Sequence, residues 1–300
     1  MKTLAFIYRN ETRFSVGDFS PVLSVFSHYE LGNTVSPFLL LDHLGPGNLK
    51  AGSLQQGVSE HPHRGFETVT IMFEGELEHR DSSGGGGVIQ AGDVQWMTAA
   101  SGIMHKESFS SEFAKTGGRF EMLQLWVNLP AKDKMNPPRY QSLSNASIPK
   151  IELENNAGFV RVIAGEYQGK MGPAKTHTPM KVFDVFIKKG QSIELPASSG
   201  ETTLLYMRTG QAQFEPHDEM DELWDDHGLA VMSNLQENVK FTAQYDSHVL
   251  YLSAAPFHEP INGHGPFVMN TYEEILAAFD DIKTGNFIRT QAIEHDQSTE

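Results

Sequence analysis

The chain has 300 residues, of which 39% are hydrophobic and 20% charged, values typical of a globular protein long enough for two domains of about 150 residues. It contains no cysteine, which excludes disulfides, cysteine-ligated zinc and iron–sulfur clusters. The 23 basic and 38 acidic residues give a formal net charge of −15, which disfavours direct binding to the phosphate backbone of nucleic acids.

The N-terminal region has only one short apolar run, residues 4–8, and this run is too short for a signal peptide. Elsewhere in the sequence, no apolar stretch reaches the length of a membrane-spanning helix. We therefore predict a cytoplasmic protein with no membrane association.

Short apolar or alternating segments, separated by turns rich in glycine, extend over the first 130 residues. The segment 38–41 is apolar and is followed by turn-type residues at 42–47. Residues 68–73 alternate between apolar and polar, and the segments 94–97 and 119–129 continue the pattern. Many short strands with little helical periodicity predict an all-β barrel or sandwich.

Two pairs of metal-ligand residues lie in this β-rich region. His61 and His63 are two residues apart, as are His105 and Glu107, and side chains at this spacing share one face of a strand. Two such strands side by side would direct three imidazoles and one carboxylate at the same point. Glu67 has the same parity as the first pair if that strand continues unbroken, so it is a second candidate for the carboxylate.

Imidazole and carboxylate ligands suit iron, manganese, zinc, nickel and copper, so the ligand types alone do not select the metal. Three histidines and one carboxylate leave two positions of an octahedron free. Adjacent open positions are what non-haem Fe(II) uses to bring a substrate and dioxygen together. The pattern therefore indicates a transition-metal centre suited to oxidative chemistry.

The second half of the chain is also β-rich and repeats the first at low resolution. Pro137 and Pro138 predict a linker, because paired prolines do not fit a central strand, and we predict domains at 1–135 and 136–300. The ligand pairs are not repeated, since His177 and His248 each lack a partner two residues away, so we expect no metal in the second domain. The similar segments are 67–72 with 201–207, 88–90 with 229–232, and 94–99 with 239–243.

One strong helix is predicted, at residues 271–283. Thr271 and Glu274 have the spacing of a capping box, and Gly285 follows the end of the helix. After it, the tail is polar, and the acidic segment 218–226 is predicted to be a solvated loop. The expected apolar stripe of the helix consists of Ile275, Leu276, Phe279 and Ile282.

Several of these motifs resemble the pirin family, a branch of the cupin superfamily. The resemblance spans most of the chain and includes both segments that carry the candidate ligands. The motifs are SPFLLLDHLGP at 36–46, HPHRGFETVT at 61–70, GDVQWMTA at 92–99, GIMHKE at 102–107, QLWVNLP at 124–130 and GPFVMNT at 265–271.

This resemblance implies a bicupin: two cupin-type β-barrels with a C-terminal helix. It further implies one Fe(II) ion in the N-terminal barrel, although other divalent transition metals would also fit, with His61, His63, His105 and Glu107 as ligands. The broader cupin pattern would instead make Glu67 the carboxylate ligand. In the pirin assignment, Glu67 lies beside the metal centre and orients a histidine or handles a proton.

Several pirins are quercetin 2,3-dioxygenases, so the resemblance implies an oxidoreductase that cleaves a small aromatic polyphenol such as quercetin with O2 and releases CO. Glu107 or Glu67 would accept the proton of the flavonol, with a pKa raised by apolar surroundings. Aromatic side chains at Phe66, Phe73, Trp96 and Trp126 are candidates for the substrate wall. The alternative is an iron-dependent redox-sensing regulator that binds a protein partner without catalysis.

Overall fold

The computed structural model describes residues 1–53, 56–215 and 223–289. Most of the described residues lie in antiparallel β-strands, and the helices are few and short. The strands of the N-terminal half are β1 (Leu4–Tyr8), β2 (Arg13–Val16), β3 (Phe19–Ser27), β4 (Phe38–Leu49), β5 (Gly57–His63), β6 (Phe66–Glu74), β7 (Glu76–Asp81), β8 (Gly86–Gln90), β9 (Val94–Thr98), β10 (Ile103–Phe109), β11 (Gly118–Asn128) and β12 (Arg139–Leu143).

The strands of the C-terminal half are β13 (Lys150–Glu152), β14 (Gly158–Ala164), β15 (Glu166–Tyr167), β16 (Lys170–Met171), β17 (Met180–Ile187), β18 (Ser192–Leu195), β19 (Thr202–Thr209), β20 (Gln211–Glu215), β21 (Trp224–Asp225), β22 (Leu229–Met232), β23 (Val239–Ala243), β24 (Ser247–Ala254), β25 (Asn262–His264) and β26 (Phe267–Met269). The helices are α1 (His28–Leu31), α2 (Ser111–Thr116) and α3 (Tyr272–Thr284). Short 3-10 turns cover Gly32–Val35, Ala131–Asp133, Asn145–Ser147 and Glu154–Asn156.

The chain forms two compact units that exchange segments. The first barrel contains residues 12–29, 38–145 and the described residues from 257 onward, and the second contains 1–11, 30–37 and 146–256. These units differ from the contiguous domains 1–135 and 136–300 expected from sequence. The difference arises because β1 pairs with β22, whereas β12 pairs with β9, and sequence composition does not reveal such pairings.

Each barrel has one seven-stranded and one four-stranded sheet, and the two barrels share one strand plan. In the first barrel the orders are β12-β9-β6-β11-β4-β3-β2 and β5-β10-β7-β8. In the second they are β1-β22-β19-β24-β17-β14-β13 and β18-β23-β20-β21. This architecture confirms the prediction of an all-β fold built from two related barrels.

The internal repeat seen in the sequence is confirmed at one position and displaced at two. Strands β6 and β19 occupy equivalent positions, as the similarity of 67–72 and 201–207 predicts. However, β22 and β23 correspond to β9 and β10, one strand later than predicted. The counterpart of β8 is β21, which has only two residues and leaves no recognisable pattern in the sequence.

Helix α3 begins and ends where its capping residues predict. The Thr271 side chain accepts a hydrogen bond from the Glu274 backbone N–H, the Glu274 side chain completes the capping box, and Gly285 has a positive φ of 78°. Of the predicted apolar stripe only Ile275 is buried, together with Ala278, while Leu276, Phe279 and Ile282 remain substantially exposed. The buried face packs on Phe267, Met269 and Phe287 of the first barrel.

Two predicted features extend beyond the described residues. Most of the polar tail and residues 218–222 of the acidic segment lie outside them. Among the helices that the structure describes, none has the length and apolar character needed to cross a membrane.

Candidate metal centre

The two predicted ligand strands, β5 and β10, are antiparallel neighbours. Their register places His61 opposite His105 and His63 opposite Ile103. The ring centroids of His61 and His105 are 4.2 Å apart, and each lies 4.8 Å from the centroid of His63. One ligand nitrogen from each of the three histidines lies within 4.8 Å of the others. The structure therefore brings the three predicted histidines together.

Both histidines of β5 are held through Nδ1, which leaves Nε2 of each ring available. Nδ1 of His61 is 2.8 Å from the carbonyl oxygen of Ser59. Nδ1 of His63 is 3.3 Å from the carbonyl oxygen of Pro266, in the segment that returns to this barrel. A hydrogen bond from one ring nitrogen to a backbone carbonyl is the usual way in which a protein orients an imidazole ligand.

His105 has the same arrangement with a different partner. Its Nδ1 is 3.3 Å from Nδ1 of His79, and its Nε2 is buried with no hydrogen-bond partner among the described residues. A buried acceptor without a hydrogen-bond partner costs free energy unless a donor or a cation binds to it. A cation bound by the three histidines would do so, and the residues present therefore fit a transition metal.

The buried histidines are in the protonation state that a ligand needs. Burial, followed by the neighbouring imidazoles, lowers the pKa of His63 to about 3 and lowers the pKa of His105 well below its ordinary value. Both rings are consequently neutral at physiological pH, and a neutral imidazole has the lone pair that coordinates a metal.

Glu107 lies on the inward face of β10 next to this cluster. Its two carboxylate oxygens accept hydrogen bonds from Nε2 of Gln95 at 3.2 Å and Nε2 of Gln124 at 3.1 Å. Ligand atoms of Glu107, His105 and His79 form a second group within 4.8 Å of one another. The predicted four-residue set thus consists of three clustered histidines and a carboxylate that adjoins them through His105.

The pKa of Glu107 shifts in the opposite direction from the one expected from sequence. Burial disfavours the ionised carboxylate, but the surrounding imidazoles and amides outweigh burial and lower the pKa of Glu107. Its environment is buried yet polar, whereas apolar surroundings were expected from the sequence. Glu107 is therefore ionised at neutral pH, as a carboxylate ligand must be.

Glu67 lies on the other side of its strand, away from the histidines. Phe66 contacts His63, with ring centroids 5.1 Å apart, so the next residue of β6 faces the opposite way. Glu67 there accepts a hydrogen bond from Oγ1 of Thr98 at 2.6 Å, and burial raises its pKa to about 7. The expected shared parity fails because the strand breaks at Gly65, which has a φ of +90°.

The turn after His63 is fixed by buried charged side chains. Nζ of Lys134 donates to the carbonyl oxygens of Gly65 at 2.7 Å and Val268 at 2.9 Å. The guanidinium of Arg64 donates to the Ser101 carbonyl at 2.6 Å and to Asp281 of α3 at 2.7 Å. The C-terminal segment thus holds the turn that follows the candidate ligand.

Two of the four candidate wall residues lie beside the cluster. Phe66 and Trp126 have ring centroids 5.1 and 5.3 Å from that of His63. Nε1 of Trp126 is buried without a hydrogen-bond partner among the described residues. Trp96 and Phe73 alternate with inward residues and lie on the opposite face of the sheet, as Glu67 does.

Sequence reasoning missed His79, which completes the polar interior. It is fully buried on β7, where Nε2 lies 3.0 Å from Oδ2 of Asp81, and the ring of Tyr140 stacks on it with centroids 5.0 Å apart. His79 is two residues from Leu77 and two from Asp81, whose side chains are buried, so the three share the inward face of β7. A lone histidine between charged residues carries too weak a signal to be selected by pattern alone.

Comparison with known proteins agrees with this architecture. Residues 20–127 match the Pirin family and residues 182–288 match the Pirin C-terminal cupin domain. The chain is 48% identical to a Pseudomonas aeruginosa protein with the provisional name of a quercetin 2,3-dioxygenase, over 96% of this chain and 99% of that protein. It is 36% identical to human pirin, over 85% of this chain and 83% of that protein.

A solved structure extends the match to three dimensions. The crystal structure of a quercetin 2,3-dioxygenase from Acinetobacter baumannii superposes with a TM-score of 0.91 at 46% identity, covering 96% of this chain and 98% of that one. The paired barrels, the clustered histidines and these matches together show that the chain belongs to the pirin family and is a bicupin.

Proposed function

We propose that this protein is a non-haem iron dioxygenase that cleaves a flavonol such as quercetin with O2 and releases CO. The observation that carries the proposal is the convergence of His61, His63 and His105, with their Nδ1 atoms engaged and the buried Nε2 of His105 left without a partner among the described residues. The names of the relatives at 46% and 48% identity supply the substrate class.

The three histidines and Glu107 would hold the metal. Fe(II) in this position would supply a Lewis acid for the flavonol oxygens and the redox chemistry that lets O2 react. Other divalent transition metals suit the same donors, so the choice of iron rests on the family relationship. The neutral imidazoles of His63 and His105 and the ionised Glu107 are ready to bind a cation without first losing protons.

Glu107 is also the better placed of the two carboxylates to accept a proton. It adjoins the histidine cluster and is ionised, whereas Glu67 lies on the other face of β6. A flavonol that entered the site would transfer its hydroxyl proton to Glu107, with Gln95 and Gln124 holding the carboxylate in place.

The aromatic side of the site suits a planar substrate. Phe66 and Trp126 pack together with ring centroids 4.3 Å apart, and both lie against His63. Such a pair offers an apolar surface for a polyphenol ring. The buried Nε1–H of Trp126 would donate a hydrogen bond to an oxygen atom of the substrate. This bond would remove the free-energy cost of leaving a buried donor unpaired.

Oxygen consumption tests the proposal directly. Protein loaded anaerobically with Fe(II) and then given quercetin and air is expected to consume O2 and release CO, while His61→Ala should do neither. His248→Ala, a histidine substitution in the second barrel, is the matched control and should keep full activity. Iron-loaded protein that leaves flavonols intact would contradict the substrate assignment.

The regulatory alternative uses the same residues and predicts a different result. A redox sensor would bind a protein partner in a manner that depends on the iron oxidation state and would show no O2 uptake with quercetin. Pull-downs under reducing and oxidising conditions, run beside the oxygen assay, distinguish the two functions.

A further inference from the structure

We infer that Asp81 and His79 form a positioning pair that fixes which ring nitrogen of His105 faces the cation site. The inference rests on the proposed metal centre and adds to it two residues that do not themselves bind the cation. It follows from a chain of hydrogen bonds in which each partner determines where the next proton resides.

Asp81 is the fixed end of this chain. Its side chain is fully buried, and Oδ1 accepts hydrogen bonds from the backbone N–H and Oγ of Ser83, at 2.8 and 2.6 Å, and from the N–H of Gly85 at 3.0 Å. Oδ2 lies 3.0 Å from Nε2 of His79. Because a carboxylate only accepts hydrogen bonds, Nε2 of His79 carries a proton.

The other nitrogen of His79 faces donors. Nε2 of Gln95 is 3.2 Å from Nδ1 of His79, and the orientation of this amide is set because its Oε1 accepts from the hydroxyl of Tyr140 at 3.3 Å. Nδ1 of His105 is 3.3 Å from the same nitrogen. In the neutral ring of His79, Nδ1 is therefore an acceptor, and Oε1 of Glu107, at 3.8 Å, lies beyond hydrogen-bond distance.

The acceptor role of His79 Nδ1 determines the tautomer of His105. With His79 Nδ1 as acceptor, the proton of His105 resides on Nδ1, and the lone pair of Nε2 faces His61 and His63. If the hydrogen bond ran the other way, Nε2 of His105 would carry the proton at the position that a cation must approach. Hydrogen bonds behind a histidine ligand select its tautomer in this way in other metal sites.

Asp81→Asn reverses the direction of these hydrogen bonds with almost no change in the shape of the side chain. The asparagine oxygen can keep its bonds to Ser83 and Gly85, while its amide presents N–H groups to Nε2 of His79. His79 then protonates at Nδ1 and donates to His105, which moves the His105 proton to Nε2. We expect the affinity for Co(II) or Zn(II), measured by competition with a chelating dye, to fall about 10- to 100-fold.

A second measurement separates positioning from general damage. Long-range 1H–15N NMR of the metal-free protein, labelled with 15N-histidine, reports the protonated nitrogen of each ring and should show the change of tautomer at His105. Ser83→Ala is the matched control, because it removes one bond to Asp81 Oδ1 and leaves Oδ2 and His79 in place. Its metal affinity should stay within about 2-fold of the wild type.

Each outcome decides one point. Wild-type protein that does not bind Co(II) or Zn(II) would overturn the proposed metal centre itself. Asp81→Asn that binds as tightly as the wild type, with His105 in the same tautomer, would overturn the positioning pair alone. If Asp81→Asn does not fold, His79→Asn, which keeps an acceptor at the Nδ1 position, should bind metal more tightly than His79→Leu, and equal affinities would contradict the inference.

Discussion

The two barrels have the same strand plan and opposite interiors. Where the first barrel directs the candidate ligands inward, the second has apolar side chains that are at most 4% exposed. By strand order and register, the counterparts are Leu195 for His61, Val239 for His105 and Phe241 for Glu107. The same residues belong to the continuous apolar core of the second barrel.

The supporting residues differ in the same way. In the register of β7 with β8 and of β20 with β21, the buried Phe214 is the counterpart of His79. A polar interior is stable only when its donors and acceptors satisfy one another or a ligand, so the ligands and their hydrogen-bond partners occur together or not at all. The same fold can therefore have either an apolar core or a hydrogen-bonded polar site in the interior of its barrel.

The largest expected effect comes from substituting alanine at one position of the first barrel and at the equivalent position of the second. His61→Ala should lower the affinity for Co(II) or Zn(II) at least about 100-fold, because it removes a ligand, while the change in thermal stability is small. Leu195→Ala should leave metal affinity unchanged and cost about 2–5 kcal/mol of stability, because it opens a cavity in an apolar core. Metal competition and thermal unfolding of both variants measure this, and metal loss in Leu195→Ala would break the division between the barrels.

The connections that follow β5 and β18 provide a second pair. Gly65 and Gly200 both have positive φ, +90° and +85°, but a Cβ at Gly65 would collide with the carbonyl oxygen of Val268, whereas one at Gly200 meets open space. Gly65→Ala should cost about 3 kcal/mol, from backbone strain and overpacking together, and should weaken metal binding by displacing His63. Gly200→Ala should cost about 1 kcal/mol from strain alone. Equal losses of thermal stability would show that the turn after His63 tolerates displacement.

The smallest expected effect is a pH dependence that belongs to the first barrel. Burial raises the pKa of Glu67 to about 7, so the folded state keeps its proton up to a higher pH than the unfolded state does. The stability from this group is full below its unfolded pKa and is lost as pH rises through about 7. Urea unfolding should show Glu67→Gln gaining about 2 kcal/mol relative to the wild type between pH 5 and pH 8. A constant difference across this range would mean that Glu67 is ionised in the folded protein.

Much of the site could be predicted because alternation along a strand is a local property. The spacing of His61 and His63, and of His105 and Glu107, is enough by itself to place each pair on one face of a strand. The capping box of Thr271 and Glu274 likewise predicted the start of α3 from neighbouring residues alone. These features depend on backbone geometry over a few residues, and the sequence contains that information in full.

Only the tertiary structure decided the rest. Glu67 lost its predicted parity because a single positive φ at Gly65 ends one strand and begins another, and Lys134, far along the chain, holds that turn. His79 became part of the site through its register with Glu107, and β1 joined the second barrel through its pairing with β22. Such pairings bring distant residues together by hydrogen bonds between strands, and no local pattern of the sequence specifies them.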